Sequence, residues 1–126
     1  MPSLATDMAV TVVSTSPYVA MFSDAGFPNG PVIQLQPTDW VGSYGSPATF
    51  TVGALSGDGS PLTYQWQEFT AQWDDLVDGA PISGATTETL SIANAQAIDN
   101  GRQFRVSVSN DVGSAFSSTV TIIGSP

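Results

Sequence analysis

An all-β chain folded as an antiparallel Greek-key sandwich follows from three features of the sequence. Apolar residues come in short alternating runs rather than helical stripes. Thr, Ser, Val and Gly dominate, and clusters of Gly, Asn, Asp and Pro break the runs at regular spacing. One run, Leu62-Thr63-Tyr64-Gln65-Trp66-Gln67, sets Leu62, Tyr64 and Trp66 on one face and Thr63, Gln65 and Gln67 on the other, the pattern of a half-buried strand. Trp66 is therefore expected at the centre of the core. The chain has 126 residues, enough for one compact domain plus an appendage.

Residues 1–30 stand apart from the repeating pattern and form a β-prone N-terminal arm. Met8–Val13 and Tyr18–Phe22 are apolar, strand-like runs separated by the turn Ser14-Thr15-Ser16-Pro17. Two short strands are marginal alone and need something to pack on. Either they fold back on the sandwich or they dock on a partner, burying Val10, Val12, Tyr18 and Phe22.

The sandwich is expected over 31–126. Val32, Ile33 and Leu35 read as its first strand, ended by Pro37. Thr38 to Pro47 reads as a loop carrying Trp40 and Tyr44. Phe50, Val52 and Ala54 alternate with Thr49, Thr51 and Gly53 in the next strand. The turn Ser56–Pro61 leads into the Trp66 strand. Gln72 to Asp78 can hold a short edge strand. Ile82 to Thr87 reads as a turn into the strand Thr89–Ile92, and Ala93 to Ile98 as a brief helical turn. Asp99-Asn100-Gly101 reverses the chain into a strand with Phe104, Val106 and Val108 on one face. Asn110–Gly113 is a hairpin turn before a last strand from Ser114 to Ile122.

Composition removes several function classes. The chain has two arginines, no lysine and eleven Asp plus Glu, for a net charge of −9. Binding to nucleic-acid phosphates or to an anionic membrane surface needs the cations it lacks. No apolar stretch is long enough for a membrane-spanning helix. Met1–Val13 has no basic region before its apolar run and makes a poor signal peptide. Cys and His are absent, which excludes Cys/His metal sites, Ser-His-Asp triads and thiol nucleophiles. No catalytic residue, cofactor or metal is assigned.

Several motifs, taken in order, resemble immunoglobulin-like domains of the intermediate-set type found in bacteria and their phages. They are Gly45-Ser46-Pro47-Ala48-Thr49-Phe50-Thr51-Val52, Tyr64-Gln65-Trp66-Gln67, Ile82-Ser83-Gly84-Ala85-Thr86 before Thr89-Leu90-Ser91-Ile92, and the run from Asp99 to Ser114. The resemblance covers 31–123 and implies an immunoglobulin-like sandwich used for binding rather than chemistry. Such domains often bridge two strands with a disulfide, at positions that correspond here to Val52 and Val106. Packing must replace a bridge that would close a loop of roughly 50 residues, worth roughly 4 kcal/mol in a chain-entropy model. Phe104 stands where the family commonly has a corner tyrosine. Both departures suit assembly in a reducing cytoplasm.

The resemblance implies a virion structural protein of a bacteriophage. The expected role is a capsid decoration or cement protein, attached through residues 1–30 to a major capsid or other virion protein. It would be present as a homo-oligomer or in many copies on the shell. A bacterial surface adhesion module or a carbohydrate-binding module is the alternative, with Trp40 and Trp73 as exposed aromatics. Covering the open end of the core is the other reading of Trp40, Tyr44, Phe69 and Trp73. Asp74, Asp75 and Asp78 lack the spacing of a known calcium loop and read as a solvated turn. Arg102 and Arg105 are expected to pair with nearby carboxylates.

Overall fold

The computed structural model describes residues 29–126; the arm expected over 1–30, with Val10, Val12, Tyr18 and Phe22, lies outside these except for Asn29 and Gly30. From Pro31 the chain forms β1 (Pro31–Leu35), β2 (Trp40–Ser43), β3 (Ala48–Thr51), β4 (Gly53–Ser56), β5 (Thr63–Phe69) and β6 (Trp73–Asp75). It continues through β7 (Ile82–Ser83), β8 (Thr89–Ile92), a single 3-10 turn (Ala97–Asp99), β9 (Gln103–Ser109), β10 (Ser114–Phe116) and β11 (Val120–Ser125).

The strands pack in two layers. One is a six-stranded sheet ordered β2-β11-β9-β5-β6, with β10 also on β9. The other joins β1 to β4 and β3 to β8 and β7. Only Val52 separates β3 from β4, so the two pairings extend one long strand. Period-two alternation explains the core between the layers. Phe50, Leu90 and Ile92 come from one layer, and Trp66, Phe104, Val106, Val108, Val120 and Ile122 from the other. Val52 and Val106 are both fully buried, so apolar packing fills the positions expected for a bridge.

Trp66 sits opposite Val106 in the β5–β9 ladder and is fully buried. Its ring lies 6.4 Å from Phe50, which lies 5.5 Å from Phe104. A buried indole N–H needs an acceptor. Nε1 donates to the Thr87 carbonyl at 2.8 Å. The Trp66 backbone N–H donates to Ala85 O and its carbonyl accepts from Leu76 N. The irregular crossing between β6 and β8 is thereby tied to one residue.

Several expectations are corrected. The stretch Thr38–Pro47, expected as a loop, contains β2, which runs parallel to β11 with Gly42 opposite Gly124. Parallel neighbours distant in sequence leave no turn signal between them. Trp40 is thus a half-buried strand residue packed against the core, not an exposed loop aromatic. Its ring lies over Gly42, and the Tyr44 ring over Gly124, where an added Cβ would overlap either ring. Ile82–Ser83, expected in a turn, pairs with β8. The last strand is broken at Ser117–Thr119. There the Ser117 hydroxyl accepts the Val106 N–H at 2.9 Å, and Ser117 N donates to Val106 O. A side chain replaces the missing rung, so the buried amide keeps a partner. Gln36 Oε1 accepts from Ser118 N and Asp39 Oδ1 from Thr121 N, fastening the β1–β2 link to this break.

Replacing Trp66 by Ala removes the central ring and the bond to Thr87. The expected loss of stability is about 3–5 kcal/mol, read as a fall in the denaturation midpoint. A midpoint near that of the wild type contradicts the central role of the ring. Gly124→Ala pushes against Tyr44 and is expected to cost about 1–3 kcal/mol, as overpacking does. Gly59→Ala, in open space but at positive φ, serves as the control for backbone strain alone.

Candidate interaction surface

Because Trp66, Phe104, Val106 and Val108 face inward, the residues between them face outward. On β9 these are Gln103, Arg105, Ser107 and Ser109; on β5 they are Thr63, Gln65, Gln67 and Phe69. Register then decides which of them meet. Gln103 is opposite Phe69, which is opposite Trp73. Arg105 is opposite Gln67, which is opposite Asp75. Ser107 is opposite Phe116 on β10.

These residues form one connected cluster. The Phe69 and Trp73 rings meet edge-on, centroids 5.3 Å apart. The Arg105 Cζ lies 4.3 Å from the Trp73 ring centre and 3.9 Å from that of Phe116. Its Nε donates to Gln67 Oε1 at 2.8 Å, and Gln67 Nε2 donates to Asp75 Oδ1 at 2.8 Å. Cation–π contacts of this kind contribute about 0.5–2 kcal/mol each. The cluster is nevertheless open to solvent, with Phe69 43% and Phe116 53% exposed. Val41 and Ile123, paired across β2 and β11, extend the exposed apolar surface toward the other edge of the sheet.

The two arginines behave differently. Arg102 grips Glu68 with Nε and Nη2, both at 2.7 Å, and Asp99 with Nη1 at 2.9 Å. These acceptors, Glu68 foremost, raise its pKa further above the ordinary arginine value. Arg105, expected to pair with a carboxylate, makes no ion pair among the described residues. Its partners are two rings and a neutral amide. Sequence reasoning missed Phe116 and this clamp. The signal was present in the Asn110–Gly113 turn, which sets Phe116 opposite Ser107, one outward position from Arg105.

The remaining candidates are separated by their partners. Trp73 is half-buried, with the Arg105 guanidinium over its ring. Asp74 accepts from Thr70 and Gln72, Asp75 from Gln67, and Asp78 from the Ala85 N–H. Among the described residues no three His, Cys, Asp or Glu gather as a metal site would require. At the far end of the sandwich, Asp58 Oδ1 accepts from Ser60 Oγ at 2.6 Å, Ser60 N at 2.8 Å and Ser56 Oγ at 3.0 Å. Asn110 Nδ2 reaches Asn29 O, Ser56 Oγ and Asp58 Oδ1, joining the β4–β5 and β9–β10 turns to the start of β1.

Residues 34–126 match a family described as a domain of unknown function, DUF8696, and the chain belongs to that family. No curated protein matches the chain. Among solved structures, titin M4 is 19% identical, with 78% of this chain and 98% of that one covered and a TM-score of 0.58. The twitchin kinase region from C. elegans is 17% identical, with 77% of this chain and 16% of that one covered and a TM-score of 0.62. The structure of the titin M10 complex with obscurin-like 1 Ig is 16% identical, with 76% and 94% covered and a TM-score of 0.58. At these identities the likeness is one of fold: the sandwich is immunoglobulin-like.

The Asp58 carboxylate supplies a pH test. Hydrogen bonds from the Ser60 hydroxyl, the Ser60 N–H and Ser56 hold its pKa below the ordinary 3.8. A carboxyl depressed in the folded state adds stability that is full above its unfolded value and fades as pH falls toward the folded one. The wild-type denaturation midpoint should therefore drop more steeply than that of Asp58→Asn as pH is lowered below about 4. Parallel curves would remove Asp58 from the acid response.

Proposed function

We propose that the chain is a non-enzymatic binding and structural module, whose sandwich offers the outer face of the six-stranded sheet to a protein partner. The observation that carries this reading is the cluster of Phe69, Trp73, Arg105 and Phe116, in which the Phe69 and Phe116 rings are exposed. Aromatic residues and arginine are enriched at the positions that carry binding energy in protein interfaces. Here they stand together on a domain that is otherwise acidic and whose core is already closed by other residues.

The finer reading is a bacteriophage virion accessory, a capsid decoration or cement protein assembled in the host cytoplasm. A sandwich held by packing at Val52 and Val106 needs no oxidising compartment to mature, which supports that setting. The net charge of −9 supports display in many copies, since like charge keeps crowded domains apart. The partner on the shell is a major capsid or other virion protein. Attachment to the shell uses the segment 1–30, separately from the sheet face, with Val10, Val12, Tyr18 and Phe22 buried by strand addition to a neighbour. Many copies then add avidity to a modest single contact.

Deleting residues 2–24 tests the attachment. Cosedimentation of the chain with virus particles is expected for the full sequence and lost for the deletion, while the denaturation transition of the sandwich persists. Unchanged particle binding, or a truncated chain that no longer folds, would overturn the role given to the arm.

A further inference from the structure

We infer that the outer face of the six-stranded sheet is a self-association surface, on which a second copy of this chain docks about a two-fold axis with Arg105 of each copy against Asp75 of the other. The inference rests on the reading of this face as the interaction surface and names its occupant.

The argument starts from register. Arg105, Gln67 and Asp75 form one row across β9, β5 and β6. Strands in a sheet lie about 4.8 Å apart, so the backbone positions of Arg105 and Asp75 stand about 10 Å apart with that of Gln67 midway. The Gln67 amide touches both, accepting from Arg105 Nε and donating to Asp75 Oδ1. The row therefore reads cation, neutral amide, anion. A half-turn about an axis running along β5 lays the reversed row of a second copy on the first. Cation then meets carboxylate at both ends, and Gln67 meets Gln67. The next row, Gln103-Phe69-Trp73, places the exposed Phe69 against its own symmetry mate. A two-fold interface is built from one patch used twice and needs this kind of self-complementarity.

The side chains are prepared for such a contact. Arg105 is held by the Trp73 and Phe116 rings and uses only Nε among the described residues. Its Nη groups remain for a carboxylate, the acceptor that a guanidinium fits best. Asp75 is exposed and engages Gln67 through Oδ1 alone. A purely acidic partner would satisfy Arg105 and repel Asp75; a purely basic one would do the reverse. A second copy carries both charges in the matching order. The charge of −9 on each copy opposes approach. Screening beyond about 8 Å at physiological salt limits that opposition to near neighbours.

Sedimentation analysis of the full chain over rising concentration, at physiological salt, tests the inference. A monomer–dimer equilibrium is expected. Arg105→Glu and Asp75→Arg should each raise its dissociation constant by at least about tenfold, because each sets like charges opposite one another. The double variant R105E/D75R reverses the row without destroying it. It should return to within about threefold of the wild type, the signature of direct coupling. Asp75 is exposed and outside the aromatic clamp, so D75R tests the contact even if R105E loosens the fold. A chain that stays monomeric to about 1 mM, a weak limit for association, overturns the inference. So does a dimer indifferent to both single changes, or a double variant no better than either. A monomeric chain that still cosediments with particles overturns self-association and leaves attachment through residues 1–30 standing.

Discussion

The buried indole of Trp66 couples the packing of the core to the crossing between β6 and β8. Its ring packs 6.4 Å from Phe50, and its buried N–H is satisfied by a carbonyl brought to it by the crossing between β6 and β8. That carbonyl belongs to Thr87, at the end of a crossing with little ladder of its own. Trp66 also anchors Ala85 and Leu76 through its own backbone N–H and carbonyl. Gly84, at φ +76 and tight against Thr89 O, lets the crossing turn there. Hydrophobic burial and hydrogen bonding thus act at one point, and the position of β8 follows from both. With no disulfide across the layers, this packed contact carries the cohesion that a covalent bridge supplies elsewhere.

The outer surface of the same sheet owes its chemistry to parity. Arg102 and Arg105 are three residues apart, so they emerge on opposite faces of the strand. Arg102 falls on the inner side at the rim of the core, near the Phe104 ring and within reach of Glu68 and Asp99. Partial burial there demands full pairing, and it has two carboxylates. Arg105 falls outward, where water can solvate it, so no carboxylate is required. It is held by aromatic faces and remains available to a partner. One cation secures the fold and the other equips the surface.

Much of the architecture was legible because strand alternation and turn chemistry are local. The Trp66 run, the inward series Phe104, Val106 and Val108, and the Asn110–Gly113 turn all lie within a few residues of the signals that reveal them. The parallel strand β2 was not legible, since its partner β11 lies some eighty positions away, with Trp40 opposite Ile122, and no hairpin joins them. The glycines that make room for Trp40 and Tyr44 read in sequence as loop residues. The break at Ser117 was hidden too, because a hydroxyl standing in for a backbone rung has no compositional mark.

The order of residue types is enough to give the fold class, the core side of each long strand and the exclusion of thiol and imidazole chemistry. These depend on residue type and on a period of two, and neither needs knowledge of distant neighbours. Folding is needed to bring Phe69, Trp73, Arg105 and Phe116 into one cluster and to set Trp40 at the core margin. Those four residues come from β5, β6, β9 and β10, and their meeting depends on cross-strand register. Register is set by the whole packed sheet, because a slip of one residue would expose the core face of a strand.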